Sequence, residues 1–164
     1  MRGFAQLSVL PTYVALAVFL STSMPQSAAA QDYVWSATAS QSNASLLYGP
    51  PGADSGSFTL LCDNSAKKTE LEIYAALGGA GDGQPLTIEI SGVWAKVVIE
   101  GEAGAAQDGG DVIAKANGFA IKPLLAVLKA DVAPTITVNG INTLFGDSGR
   151  TEAVAEFAKA CRLD

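Results

Sequence analysis

Two cysteines and not a single histidine constrain this chain more than any other feature. Cys62 closes SFTLL at 57–61, where strict alternation puts Phe58, Leu60 and Cys62 on one face of a strand and Thr59 and Leu61 on the other. Cys161 lies in SGRTEAVAEFAKAC at 148–161, whose Val154, Phe157, Ala158 and Cys161 recur at i, i+3, i+4 and i+7. That spacing predicts one apolar helical stripe, with Arg150, Glu152, Glu156 and Lys159 largely outside it. Ser148 or Thr151 is the expected N-cap, and Glu152 would sit near the positive end of the helix dipole. Both thiols therefore point inward from elements far apart in sequence. A zinc site would need two further ligands from carboxylates alone, and a thiol nucleophile would lack its usual histidine partner. In an oxidising compartment the pair reads first as one disulfide. A bridge closing a loop of about 100 residues contributes roughly 4 to 5 kcal/mol in the chain-entropy model.

The N-terminus supplies the compartment. MRGFAQLSVLPTYVALAVFLSTSMPQSAAAQ has an early Arg2, an apolar run from Leu7 to Leu20 and a small-residue end at Ala28-Ala29-Ala30. Those are the parts of a secretory signal peptide. The run is about 14 residues, against about 20 for a bilayer span, and Pro11 interrupts it. The expected organisation is a signal peptide at 1–30, cleaved after Ala30, and a single exported domain at 31–164, periplasmic or secreted, with no retained membrane anchor. The formal net charge of −6 becomes one unit more negative without Arg2. Such a charge repels phosphate backbones, which argues against nucleic acid, and favours a basic protein partner by steering. Asn43-Ala44-Ser45 is formally a glycosylation acceptor, but the short leader and alanine-rich composition point to a bacterium.

Short strands separated by turn chemistry are expected from Gln31 onward, at Tyr33–Ala37, Ser45–Tyr48, Phe58–Cys62, Glu70–Leu77, Leu86–Ser91 and Val93–Glu100. GPPGADSG at 49–56 can only be a loop. Glu70–Leu77 and Leu86–Ser91 both alternate and flank GGAGDGQP, which predicts a hairpin with one wet face. GEAGAAQDGGD at 101–111 reads as a glycine-rich connection. Pro123 opens a short helix over about 123–130, Ile136–Val138 returns to strand, and Asn139-Gly140 is a tight-turn pair. The fold class is α+β: a mainly antiparallel sandwich or half-barrel, carrying that short helix and a C-terminal helix at about 149–162.

Little in this pattern is chemical. GGAGDGQ matches neither a dinucleotide fingerprint nor a P-loop and reads as a flexible loop. Glu70/Glu72 and Glu100/Glu102 each share a strand face, which is more often the solvated face of an edge strand than an acid/base couple. No metal site is expected; Asp82, Asp108 and Asp111 are the carboxylates that come nearest to a calcium set. Serines abound, but without histidine or an S-x-x-K motif they have no base, so no catalytic residue and no cofactor are expected. Tyr33, Trp35, Tyr48 and Trp94 fall on expected strands, where core-edge packing is the common role. Tyr48 and Trp94, with loop residues Gly81 and Asp82, are the candidate partner-contact residues.

Trp35, the strand-borne Leu60-Leu61-Cys62, Phe119 with PLLAVLKA and Ile136–Val138, and the ending LFGDSGRTEAVAEFAKAC follow one another in an order that resembles small exported proteobacterial proteins. The resemblance is to the accessory family of type VI secretion (VasI/TagO-like) and, more loosely, to the invasion-associated locus B type. It implies that Cys62 and Cys161 are structural, and it brings no active site. The expected function is a non-enzymatic periplasmic or secreted protein acting by protein contact, as an envelope or secretion accessory factor. The alternatives are an inhibitor of a basic cell-wall hydrolase such as lysozyme, acting through GGAGDGQ or GPPGADSG, and a calcium or small-ligand binding module.

Overall fold

The structure is a computed structural model that describes residues 32–106 and 111–162. The expected signal peptide and Asp108 lie outside the described residues. Nine strands form one sheet: β1 (Val34–Ala39), β2 (Asn43–Gly49), β3 (Phe58–Asp63), β4 (Lys68–Ile73), β5 (Pro85–Ser91), β6 (Lys96–Ala105), β7 (Val112–Asn117), β8 (Thr135–Val138) and β9 (Ile141–Leu144). Their spatial order is β1-β2-β3-β4-β7-β6-β5-β8-β9, and each neighbouring pair is antiparallel. The sheet curls into a half-barrel, and two helices, α1 (Ile121–Leu128) and α2 (Arg150–Ala160), complete the α+β fold expected from the sequence.

The alternation in each strand decides which face the core takes. Phe58, Leu60 and Cys62 of β3, Leu71 and Ile73 of β4, and Leu86, Ile88 and Ile90 of β5 are all buried in a single apolar cluster with Leu124 and Leu128 of α1 and Val154 and Phe157 of α2. Each such Leu, Ile or Phe contributes roughly 1.5 to 3 kcal/mol when removed from water. A register slip of one residue would turn this whole set outward, so the pattern fixes the pairing. Helix α2 packs on β1 and β2, and α1 packs on β6 and β5.

The sheet's two edges approach one another through the segment after β9. The Trp35 backbone N–H donates to Ser148 O at 2.8 Å, and its indole Nε1 donates to Gly146 O at 2.7 Å. Gly146 N–H in turn donates to the Tyr48 hydroxyl at 2.8 Å. The rings of Trp35, Tyr48, Phe58 and Phe145 meet here with centroids 5.1 to 6.3 Å apart. Gly149 then opens α2 at φ 76, where a Cβ would lie 2.8 Å from the carbonyl oxygen of Trp35. Neither Ser148 nor Thr151 is the N-cap; Gly149 is, with no side-chain cap bond. The close approach of β1 leaves room for glycine alone and overrides the usual preference for an oxygen-bearing cap.

Arg150 corrects a second expectation. Placed outside the apolar stripe by its charge, it is instead buried, with 1% of its surface exposed. Its guanidinium donates to Asp147 Oδ1 and to the carbonyl oxygen of Leu128 at the end of α1. It thus joins the two helices by satisfying a carbonyl that the end of α1 leaves open.

The cysteines are bonded, with Sγ atoms 2.05 Å and Cα atoms 5.7 Å apart. Asn64 reinforces this junction: its Nδ2 donates to Ala160 O at 3.0 Å and its Oδ1 accepts from Arg162 N–H at 2.7 Å. One amide side chain therefore closes the backbone groups at the C-terminus of α2 beside the disulfide.

Several element boundaries differ from expectation. β4 ends at Ile73 and pairs with β3 and β7, so Glu70–Leu77 and Leu86–Ser91 do not form a hairpin; β5 pairs with β6 and β8 instead. The first five residues of GEAGAAQDGGD, Gly101–Ala105, belong to β6 rather than to a connection, and β7 begins at Val112, directly after its last. Gly101 explains the small residues: a Cβ there would lie 2.3 Å from Lys115 O on β7. β6 starts at Lys96, leaving Val93 and Trp94 in a turn. Helix α1 starts two residues before Pro123, which occupies the first turn, where its missing N–H has no intrahelical partner to lose. The Asn139-Gly140 turn is as expected, with φ of 48 and 82 between β8 and β9.

Candidate functional site

Sheet connectivity sorts the loops into two ends. Loop 50–57 joins β2 to β3 and loop 74–84 joins β4 to β5; the Tyr74 backbone N–H donates to Ser57 O at 2.9 Å, so the two leave the sheet together. The turn at Asn139 is tied to the same place, because its Nδ2 donates to Leu77 O at 3.2 Å. Asp111 arrives there too, immediately before β7, whose Ala114 pairs with Ile73 at the end of β4. Asp54, Asp82 and Asp111 are exposed on these connections, and loops 50–57, 74–84, 106–111 and 139–140 contain no Lys or Arg. One end of the half-barrel is thus uniformly acidic.

Loop 74–84 does not hang free as its glycines suggest. Gly83 N–H donates to Ala103 O at 2.7 Å, Ala103 N–H donates to Gln84 O at 2.8 Å, and Gly81 N–H donates to Gln84 Oε1 at 3.0 Å. Glycines at 78, 79 and 83 take φ between 65 and 83, conformations that other residues adopt at a cost. The loop presents Gly81 and Asp82 on a turn fastened to β6, which lowers the ordering cost of meeting a partner.

Of the other candidate contact residues, Trp94 lies at the opposite end of β5 and Tyr48 beside the start of loop 50–57. Trp94 sits on the turn between β5 and β6, with 95% of its surface exposed. The seven residues of β5 separate that turn from Asp82 by about 20 Å. Tyr48 is half-buried and committed to the aromatic cluster through its ring and to Gly146 through its hydroxyl. Gly81 and Asp82 therefore share an end of the half-barrel with Asp54 and Asp111 and not with Trp94, while Tyr48, at the end of β2 beside loop 50–57, is taken up in the aromatic cluster.

The carboxylate pairs serve the outer face of the sheet. Glu72 meets Lys115 Nζ at 3.1 Å, and Glu102 lies directly across from Lys115 in the β6/β7 register. Glu89 pairs with Lys96 at 3.0 Å. Among the described residues, no three His, Cys, Asp or Glu side chains gather where a metal ion could be held, so Asp82 and Asp111 belong to no such group. Among the same residues no helix is long and apolar enough to cross a membrane.

Comparison with protein-family models, curated proteins and solved structures finds no match. Asp54, not singled out from the sequence, belongs with Asp82; only the pairing that brings loop 50–57 beside loop 74–84 reveals it.

Proposed function

We propose that this protein works by contact rather than by catalysis: an envelope or secretion accessory factor, periplasmic or secreted, whose acidic end docks on a basic protein. The observation that carries this reading is the convergence of Asp54, Asp82 and Asp111 on fastened loops without a cation among them. A surface of one sign attracts a basic partner over a Debye length and speeds its docking. The absence of histidine and the commitment of both thiols to one bond support a non-enzymatic role, and that bond supports an oxidising compartment. The type VI secretion assignment draws on the order of sequence motifs alone.

Photo-crosslinking in the native envelope provides the test. A photoreactive residue at 82 is expected to yield a defined protein adduct that diminishes with Asp54→Lys, while one at 159, on the exposed side of α2, yields none. Equal adducts from both positions, or none from 82, reject the acidic end as the docking surface.

Inhibition of a basic cell-wall hydrolase is the second reading, favoured because the two loops such an inhibitor would use, 50–57 and 74–84, emerge side by side. Lysozyme activity measured with the purified protein decides it: loss of activity at micromolar inhibitor, relieved by Asp82→Lys, is expected, and unchanged activity removes this reading.

A further inference from the structure

The most exposed apolar side chains gather on one rim of the sheet. Trp94 is 95% exposed, Leu144 83%, Val93 57% and Val132 56%, the four highest values for large hydrophobic residues among the described residues. They come from three stretches of chain that the strand register brings together. Ser91 at the end of β5 pairs with Thr135 at the start of β8, and Thr135 pairs with Leu144 at the end of β9. Neighbouring strands lie about 4.8 Å apart, so this rung is about 10 Å across. Val93 and Trp94 lie just beyond Ser91, and Val132 precedes Thr135 by three residues. Single exposed apolar residues are ordinary, whereas a cluster of them marks a contact surface.

The turn that carries Trp94 is built to hold it out. Gly92 N–H donates to Ala95 O at 2.8 Å, which leaves Val93 and Trp94 at the tip. A two-residue hairpin tip ordinarily takes Asn, Asp or Gly, so a Val-Trp pair gives up turn chemistry there without gaining burial. Below the tip, a Cβ at Gly92 would lie 3.6 Å from Val127 and 3.9 Å from Ala130, so the turn is seated on the end of α1. Lys96 is tied back to Glu89 at 3.0 Å. A fixed tip keeps the ordering cost of a contact low.

We propose that this rim seats the protein on the surface of a lipid bilayer, with the indole of Trp94 at the depth of the headgroups and Val93, Val132 and Leu144 around it at the acyl boundary. Tryptophan favours that depth because its ring is apolar and its N–H polar. A protein pocket would have to receive side chains from three segments that also expose Lys96, Lys129 and Asp131, whereas a fluid surface accepts each apolar group where it falls. The charge layout gives the orientation. Asp82 lies about 20 Å away along β5, two Debye lengths at about 0.1 M salt, so the acidic end faces water while the rim rests on the bilayer. The contact is peripheral and involves no span. It uses none of the residues of the acidic docking end, so either proposal can fail alone.

Phosphatidylcholine vesicles and the purified, disulfide-bonded protein test it. Co-flotation with the vesicles is expected, together with a blue shift of tryptophan emission and quenching by lipids brominated near the headgroup; Trp35 is already buried, so the change reports Trp94. Trp94→Ala should lower the partition coefficient by about tenfold, the effect of withdrawing one large apolar side chain, and Leu144→Ser by a smaller factor. Lys159→Glu should leave it unaltered, and so should raising the salt to about 0.5 M, because the attraction is apolar. Far-UV circular dichroism confirms that each variant is folded. Absence of vesicle binding overturns the proposal. Binding undiminished in Trp94→Ala overturns it too, since adsorption would then run through another part of the chain, such as the apolar run from Leu7 to Leu20. A dimer abolished by Trp94→Ala, or a protein adduct from a photoreactive residue at 94, in either case without vesicle binding, would make the rim a protein contact and overturn it as well.

Discussion

Arg150 shows what a single charge does when the fold encloses it. Desolvating a guanidinium is expensive unless its donors are satisfied, and here Nε and one Nη reach Asp147 and Leu128 O while Nη2 has no partner among the described residues. Two substitutions separate its packing from its charge. Arg150→Ala removes the donor that serves the Leu128 carbonyl and opens a cavity, with an expected cost of about 3 kcal/mol in urea unfolding. Arg150→Met keeps much of the volume and abolishes the buried charge, so its cost should be less than half of that. Equal losses in the two variants would mean that the hydrogen bond, and not the filled space, holds the helices together. Gly149 is the companion case: Gly149→Ala places a Cβ against Trp35 O at positive φ, and a loss of about 2 kcal/mol is expected. Neither residue declared its role in the sequence. An arginine beside an aspartate looks solvated, and a glycine before a helix looks like a loop, until β1 is brought against them.

At the scale of elements, what could be seen beforehand was whatever a short window contains. Alternation located β3 and β5 and their inward faces, the i, i+3, i+4, i+7 stripe located α2, and Asn139-Gly140 located the β8/β9 turn. Pairing was not visible, because β4 and β7 lie far apart in sequence and the small residues at 101–105 imitate a loop. Those residues are small because β7 crosses close to β6, a fact that belongs to neither strand alone. The acidic end was half legible: Gly81, Asp82 and Asp111 were marked, but the place of Asp54 beside them needed the register. The junction of β3 with α2 depends on two fasteners, the disulfide and Asn64. Removing the bridge by Cys62→Ser with Cys161→Ser should cost roughly 4 kcal/mol, given a loop of 99 residues. Asn64→Ala alone should cost about 1 kcal/mol. Because both hold the same turn of α2, the triple variant should lose measurably more or less than the sum, and strict additivity in urea titrations would show that they act independently.

Across the whole molecule, the half-barrel is held at both margins by one stretch of chain. Residues 145–149 leave β9, bond to Trp35 on β1 and enter α2, which packs on β1 and β2 and is bolted to β3. The outermost strands of the sheet are thereby coupled through a short segment rather than only through the seven strands between them. Such closure predicts one cooperative unfolding transition instead of fraying from β1 or β9. The two tryptophans make this measurable, since Trp35 is buried at the closure and Trp94 is almost wholly in water. In a Trp94→Phe variant, fluorescence reports the β1 margin alone, while far-UV circular dichroism reports the whole sheet. With the disulfide intact, the two midpoints should coincide in urea. A Trp35 transition at distinctly lower urea would show that the margin opens while the rest of the sheet persists, and segment 145–149 would then be a latch on a stable sheet rather than part of its cooperative core.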